Sequence, residues 1–270
     1  MTITTKEIKR VTLKARRANK LYTKSLIKHG NGKLKDYDDV INDVLYRYAQ
    51  FNLRALLDCP FRSAGCEAVC YATKGNHNFP TVKKSRENAY NVSKSDNFHK
   101  MMIYTIRTEL NYSKRYKNNV MILRIHESGD FYSLQYLRKW LKVWKYFINN
   151  NNIVFVFYTK SFSFFNMLSE EEKKTIRKLQ KKGRVAISAS LDDTTNLRQK
   201  TEYLKMIANY PLTNTYYCTE DITAVKHDNE CDCKDCAKCG ICNSAKGKKT
   251  VVKIHSASNN DLEKYRENIA

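Results

Sequence analysis

Cys59, Cys66 and Cys70 fall within twelve residues, in the stretch Cys59-Pro-Phe-Arg-Ser-Ala-Gly-Cys66-Glu-Ala-Val-Cys70-Tyr-Ala. Thiolates bind soft metals, and a set of three leaves one position on a metal or cluster open for chemistry. The remaining six cysteines are Cys218, Cys231, Cys233, Cys236, Cys239 and Cys242. In Cys236-x-x-Cys239-x-x-Cys242 the spacing allows tight ligation, and Gly240 lets the backbone turn around an ion. Cys218 with Cys236, Cys239 and Cys242 forms a candidate set for a structural zinc or a second iron–sulfur cluster; Cys231 and Cys233 compete for the same role. The amino terminus carries no secretory pattern, so nine cysteines point to metal ligation in a reducing cytoplasm rather than to disulfides.

A second group of chemically able residues stands where apolar runs end. Asn119–Ile125 is followed by His126-Glu127-Ser128-Gly129-Asp130-Phe131, and Ile153–Tyr158 by Thr159-Lys160-Ser161. Arg184–Ser190 carries Ser188 and Ser190 and leads into Asp192-Asp193. Asp130, Lys160, Glu127 and Asp192 are candidate acid, base or charge-stabilising groups. Ser128, Gly129, Thr159, Ser161, Ser188 and Ser190 are candidates for binding the polar parts of a small cofactor. Singly, each has a plainer role. Asp130 can cap a helix, Lys160 can be solvated, and Asp193 is expected to cap the helix from Thr194.

The elements that must hold these groups alternate strand and helix. The three apolar runs read as buried parallel strands. Helices are expected over Tyr132–Ile148, Ser169–Lys181 and Thr194–Ala208, the second opening on a capping-box sequence. Thr215–Cys218 reads as a fourth strand, and Thr81–Asn91 and Ser95–Tyr112 as earlier helices. Residues 37–50 place Val40, Ile41, Val44, Leu45 and Tyr48 on one face of an expected helix. His77 and His99 read as surface or partly packed residues. Five or six strands fall short of a closed eight-stranded barrel, so the expected fold is α/β, a partial (β/α) barrel; an open doubly wound sheet is the alternative. No glycine-rich dinucleotide fingerprint follows any strand. The expected boundaries are a basic segment at 1–36, the barrel with its cysteine loop at 37–217, and a cysteine knuckle with a basic tail at 218–270.

The net charge of the 270 residues is +22. Such a balance attracts polyanions, and nucleic acid is the natural partner; a lysine- and asparagine-rich composition is its other source. No apolar stretch approaches the length of a membrane span.

Taken together, these motifs resemble the phage "gene product 88" domain family. The resemblance rests on Cys59-Pro through Cys70-Tyr71-Ala72, on Arg124-Ile-His-Glu-Ser-Gly-Asp130-Phe-Tyr-Ser with Trp140, on Phe157-Tyr-Thr-Lys160-Ser161, and on the Cys236/Cys239/Cys242 triplet. The same arrangement is similar to radical S-adenosylmethionine-type barrels, in which a three-cysteine loop precedes a strand ending in Thr-Lys. That similarity implies a 4Fe–4S cluster on Cys59, Cys66 and Cys70, S-adenosylmethionine at the open iron, an electron donor as partner, and hydrogen abstraction from a substrate. The spacing departs from the usual Cys-x3-Cys-x2-Cys, since this chain has Cys-x6-Cys-x3-Cys. A further resemblance, through Glu127-Ser-Gly-Asp130-Phe and Cys231-x-Cys233-x-x-Cys236, is to the zinc-containing guanine transglycosylases. It implies base exchange in DNA or RNA with Asp130 or Asp192 as base or nucleophile, and it gives the three-cysteine loop no task. A non-catalytic, metal-stabilised nucleic-acid-binding protein is the reading from a third class.

Overall fold

A computed structural model of the protein describes residues 26–29, 38–41, 44–112, 119–221, 223, 228–230, 244–254 and 257–269. Most of the basic segment 1–36, the five cysteines of the knuckle (Cys231, Cys233, Cys236, Cys239 and Cys242) and His255 lie outside the described residues.

Two short strands, β1 (Lys28–His29) and β2 (Asp38–Ile41), flank the edge of β3 (Val44–Phe51) in antiparallel pairing. From β3 the chain runs through the cysteine loop with its one-turn helix α1 (Ala64–Ala68). It continues through α2 (Pro80–Lys94) and α3 (Phe98–Tyr112) into β4 (Asn119–Ile125). Next come α4 (Leu134–Tyr146), β5 (Ile153–Thr159), α5 (Phe162–Asn166) and α6 (Glu170–Lys181). They are followed by β6 (Val185–Asp192), α7 (Leu197–Asn209), β7 (Asn214–Thr219), β8 (Asn229–Glu230) and β9 (Lys249–Lys253). The last element is α8 (Asn259–Glu267).

The described strands form one nine-stranded sheet, in which β3, β4, β5, β6, β7 and β9 lie side by side in chain order, with β8 beyond β9. All pairings from β3 to β8 are parallel, so seven strands run one way and the sheet does not close. The main core lies on one face. Phe51, Leu123, Phe157 and Ile187 pack there against Met101 and Ile106 of α3, Trp140 and Trp144 of α4, Phe165 of α5, Leu179 of α6 and Met206 of α7. Across β4 the alternation puts Met121, Leu123 and Ile125 into this core, while Ile122 turns to the other face with Tyr48, Val156 and Ala186. Trp144 stacks on Phe157 at 5.2 Å between ring centroids, and Trp140 meets Phe51 edge-on at 5.5 Å. These buried aromatics register α4 on the sheet; truncating either tryptophan to alanine costs about 3–5 kcal/mol.

The helices begin where capping chemistry allows. Ser133 accepts from Tyr136 N at the start of α4, and Ser169 with Glu172 forms the expected capping box of α6. Asn196, not Asp193, caps α7, its side chain accepting from Gln199 N. Asp193 instead accepts from the hydroxyls of Thr219 and Tyr265.

The helix expected over 37–50 is a β-hairpin edge. Ile41 pairs with Val44 and Val40 with Leu45 across β2 and β3. The apolar residues coincide with helical spacing because they sit at facing ends of two strands. Their β-branched and aromatic content, together with the alternation of Tyr46 and Tyr48 with Ala49 and Phe51, favours the pleated form. Among the described residues no helix is long and apolar enough to cross a membrane.

Candidate active site

The segments that follow β3 and β4 are fastened to each other. Leu53 N donates to Ser128 O at 2.9 Å, Ser128 Oγ to Leu53 O at 2.7 Å, and Glu127 N to Asn52 Oδ1 at 2.8 Å. Gly129 makes this approach fit: its φ is +83°, and a Cβ there would lie 2.5 Å from Leu53 Cβ. Ahead of Cys59, Arg54 Nη2 bonds Asp58 Oδ1 at 2.7 Å while Asp58 Oδ2 accepts from Arg54 N at 2.9 Å. This closes a turn in which Leu56 takes φ +61°. The backbone of Asp58 in turn accepts from Asp130 N at 2.9 Å. The cysteine loop therefore leaves β3 from a rigid base.

Asp130 is buried, and both carboxylate oxygens are engaged. Thr159 Oγ1 and Phe131 N donate to Oδ1, each at 2.7 Å, and Lys160 N donates to Oδ2 at 2.8 Å. Burial raises its pKa, against the lowering effect of these donors. Thr159 also accepts from Ser161 N, and Ser161 Oγ donates to Phe131 O. Asp130, Thr159 and Ser161 thus join the ends of β4 and β5. Next to them His126, also buried at φ +66°, pairs its Nε2 with Tyr136 Oη at 2.9 Å, and burial lowers its pKa to about 3.

A second node joins the ends of β5 and β6 to the cysteine loop. Lys160 Nζ lies 2.7 Å from Asp192 Oδ2 and donates to Ser190 O at 3.2 Å. Ser63 Oγ donates to the same Asp192 oxygen, and Ser63 is the N-cap of α1, accepting from Cys66 N at 3.3 Å. Thr194 donates to Asp192 Oδ1 from both N (3.0 Å) and Oγ1 (2.7 Å). Burial alone would raise the Asp192 pKa, but Lys160 and these donors bring it below the ordinary carboxylate value. Thr194 Oγ1 also accepts from Gly65 N at 2.8 Å. A Cβ at Gly65 would collide with Thr194 Oγ1 and with the ring of Tyr265 on α8. The helix carrying Cys66 is therefore held from two sides.

All three loop cysteines are free thiols, each partly exposed. Their charges would repel: Cys59 is sensitive to Cys66 and Cys70, and Cys66 to Cys70. Burial keeps every one of them protonated, most strongly at Cys59, with Cys66 pushed up to about 11 and Cys70 also raised. Tyr71, next to Cys70, donates its hydroxyl to Glu127 O and so ties the far end of the loop to β4. Cys218, expected in the knuckle, stands at the end of β7 in register with Asp192 and within electrostatic reach of Cys66 and Lys160. Burial raises its thiol to about 12.

The structure thus gathers Cys59, Cys66, Cys70, Cys218, Asp130, Lys160 and Asp192 around one end of the sheet, with Glu127 linked to the group through Asn52 and Tyr71. Of the expected cofactor-binding residues, Ser128, Gly129, Thr159 and Ser161 serve to fasten segments together. Ser188 and Ser190 lie on β6, and the buried Ser188 hydroxyl has no partner among the described residues. Ser63, Thr194, Tyr265 and Asp58 were not singled out from the sequence. Only Ser63 had a local signal there, a cap residue three positions ahead of Cys66. Of His77 and His99, the first pairs its Nδ1 with Arg86 Nη2 at 2.7 Å, and the Nδ1 of the second has no partner among the described residues.

No curated protein and no solved structure matches the chain. The family described as Gene product 88 matches residues 11–245, a span that includes the cysteine loop, all three polar strand ends and the knuckle. The chain belongs to the Gene product 88 family.

Proposed function

We propose that the protein is a radical S-adenosylmethionine-like metalloenzyme that holds a 4Fe–4S cluster on Cys59, Cys66 and Cys70 and acts on a nucleotide or nucleic acid. The single observation that carries the reading is the placing of three free, mutually sensitive thiols on the loop after β3, the first strand of the parallel series, over the carboxyl ends of β4, β5 and β6. On this reading the open sheet, with its strands in chain order and its helices on one face, is a partial (β/α) barrel, and chemistry belongs at those strand ends.

Three thiolates with no fourth protein ligand beside them suit a cluster whose remaining iron stays open. Among the described residues no group of three His, Cys, Asp or Glu side chains that could hold a metal ion is seen. With S-adenosylmethionine bound, such a cluster supplies one-electron chemistry at carbon. The chain's own residues orient and shield. Ser63 fixes α1 and hence Cys66, Asp58 and Arg54 fix the approach to Cys59, and Tyr71 fixes the exit from Cys70. Lys160 and Asp192 set a compensated charge pair beside the thiols. The base-exchange alternative draws less support, because an attacking carboxylate needs a free oxygen and both oxygens of Asp130 accept structural hydrogen bonds. An electron donor and a cytoplasmic setting belong to the proposal, as does a structural metal on the knuckle cysteines Cys236, Cys239 and Cys242.

Anaerobic purification followed by iron, sulfide and zinc analysis tests it. The expected result is about four iron and four sulfide per chain at the loop, lost in Cys66→Ala. Zinc without iron after anaerobic reconstitution overturns it.

A further inference from the structure

Charge is segregated along the helical layer. The chain holds no acidic residue between Asp130 and Glu170, nor between Glu172 and Asp192. These stretches carry α4 and most of α6, which pack together and are joined by the Arg138–Glu172 ion pair at 2.9 Å. Arg138, Lys142 and Lys145 recur at i, i+4 and i+7 along α4, and Lys174, Lys178 and Lys181 do the same along α6. The five lysines are exposed, and among the described residues none of them makes an ion pair or a hydrogen bond. A groove of about 530 Å³ lies between the helices, lined by Arg138, Lys142 and Lys145 of α4 and by Glu171, Glu172 and Thr175 of α6. Its two glutamates belong to the first turn of α6, and the lysines follow toward the far end. There Lys182 Nζ donates to Asn149 Oδ1 at 2.7 Å and Arg184 Nη2 to Asn151 Oδ1 at 2.6 Å. That end adjoins the starts of β5 and β6, about 20 Å of strand away from the ends that meet the cysteine loop.

Exposed lysines without counter-charges repel one another and attract a polyanion. As point charges on flexible stems they hold phosphates without reading bases. A lipid surface fits less well, because the apolar residues of α4 and α6 are buried in the core and leave little to insert. A stacked single strand also fits less well. Tyr146 is the only large hydrophobic side chain exposed on these two helices, and its ring packs edge-on against Phe147 at 4.9 Å. We infer that the α4–α6 face is a docking surface for a nucleic-acid duplex, held through its phosphate rows and separate from the site at the cysteine loop. The inference deepens the proposed function by naming the form of the partner, and it rests on that reading's choice of nucleic acid. A duplex docked there leaves the cysteine-bearing end of the sheet free.

The test is fluorescence anisotropy of the full chain with a short labelled DNA duplex and a single strand of equal length, across a series of salt concentrations. Replacing Lys142, Lys145, Lys178 and Lys181 together by glutamine is expected to weaken duplex binding at least tenfold. The slope of log affinity against log salt should fall by about 3–4. A control with the same loss of charge, in which the exposed Lys83, Lys84, Lys200 and Lys264 become glutamine, should keep the wild-type slope to within about one. No duplex binding by wild type, undiminished binding by the first variant, equal loss in both variants, or tighter binding of the single strand would each overturn the assignment. Phosphatidylserine vesicles bound by wild type and lost by the first variant, with duplex binding kept, would overturn it in favour of a membrane. Bound iron on the same preparations reads the proposed cluster separately. The expected pattern of duplex loss without iron defeats the cluster alone, whereas iron without duplex binding defeats the docking surface alone.

Discussion

Asp192 receives Lys160, just past β5, and Ser63 from the cysteine loop on the same carboxylate oxygen, so the charge of one strand end also sets the position of the thiol-bearing helix. Lys160 and Asp192 are both almost fully buried. Removing one partner of such a pair leaves the other charge uncompensated, at a cost of about 3–5 kcal/mol. Asp192→Asn is therefore expected to lower unfolding stability by roughly that amount, read by urea titration, and to reduce iron loading with it. A variant that unfolds like wild type contradicts this account.

The same carboxylate gives a signed pH dependence. Its folded pKa lies below the ordinary value, so its contribution is present above about pH 4 and is lost as pH falls through the folded pKa. His126 acts in a higher window. Its folded pKa of about 3 lies below the usual imidazole value, so the unfolded chain binds the extra proton between about pH 6.5 and 3. Stability should fall on acidification across that window by up to about 1.4 kcal/mol per pH unit. His126→Leu should flatten that limb and leave the Asp192 limb at lower pH.

The loop thiols predict proton release on metal uptake. Cys66 is a neutral thiol up to about pH 11, and Cys59 and Cys70 are raised as well. Each thiol that ligates must give up its proton. Apparent metal affinity in a chelator competition should therefore climb between pH 6 and 8, by up to about tenfold per pH unit for each proton released. A flat profile would mean the thiols are not the ligands.

Gly129 and Gly65 should fail differently. Gly129→Ala meets both a left-handed φ and the backbone-linked Leu53 Cβ, and should cost about 1–3 kcal/mol with no local remedy. At Gly65 the obstacle is largely the Tyr265 ring. Gly65→Ala should be partly rescued by Tyr265→Leu, a non-additivity measurable in a double-mutant cycle. Purely additive losses would show that the close approach of α1 to α8 does not matter.

The parallel core was legible because its strands are short apolar runs and its helices carry their caps locally. Asn119–Ile125 and the Ser169/Glu172 box needed no partner to be read. The hairpin at 38–51 imitates a helix in the sequence because its apolar residues belong to two strands, and only pairing reveals that. The clustering of Cys59, Cys66 and Cys70 was legible from type and spacing. The roles of Asp130 and Asp192 were not, since a carboxylate that joins strands and one that does chemistry look alike until their donors are counted. The place of Cys218 depends on the register of β7 against β6, which no local pattern encodes.

The packing of α8 on α1 has a consequence in time. Tyr265 rests on Gly65 and donates to Asp193, and Lys74, just past the cysteine loop, pairs with Asp261. On the ribosome the three cysteines emerge well before residues 259–267, so for most of synthesis the Cys66 helix lacks the wall that later covers it. Delivery of the proposed cluster's iron would have its widest opening in that interval. A nascent chain stalled before Ser258 should therefore exchange iron faster than the finished protein.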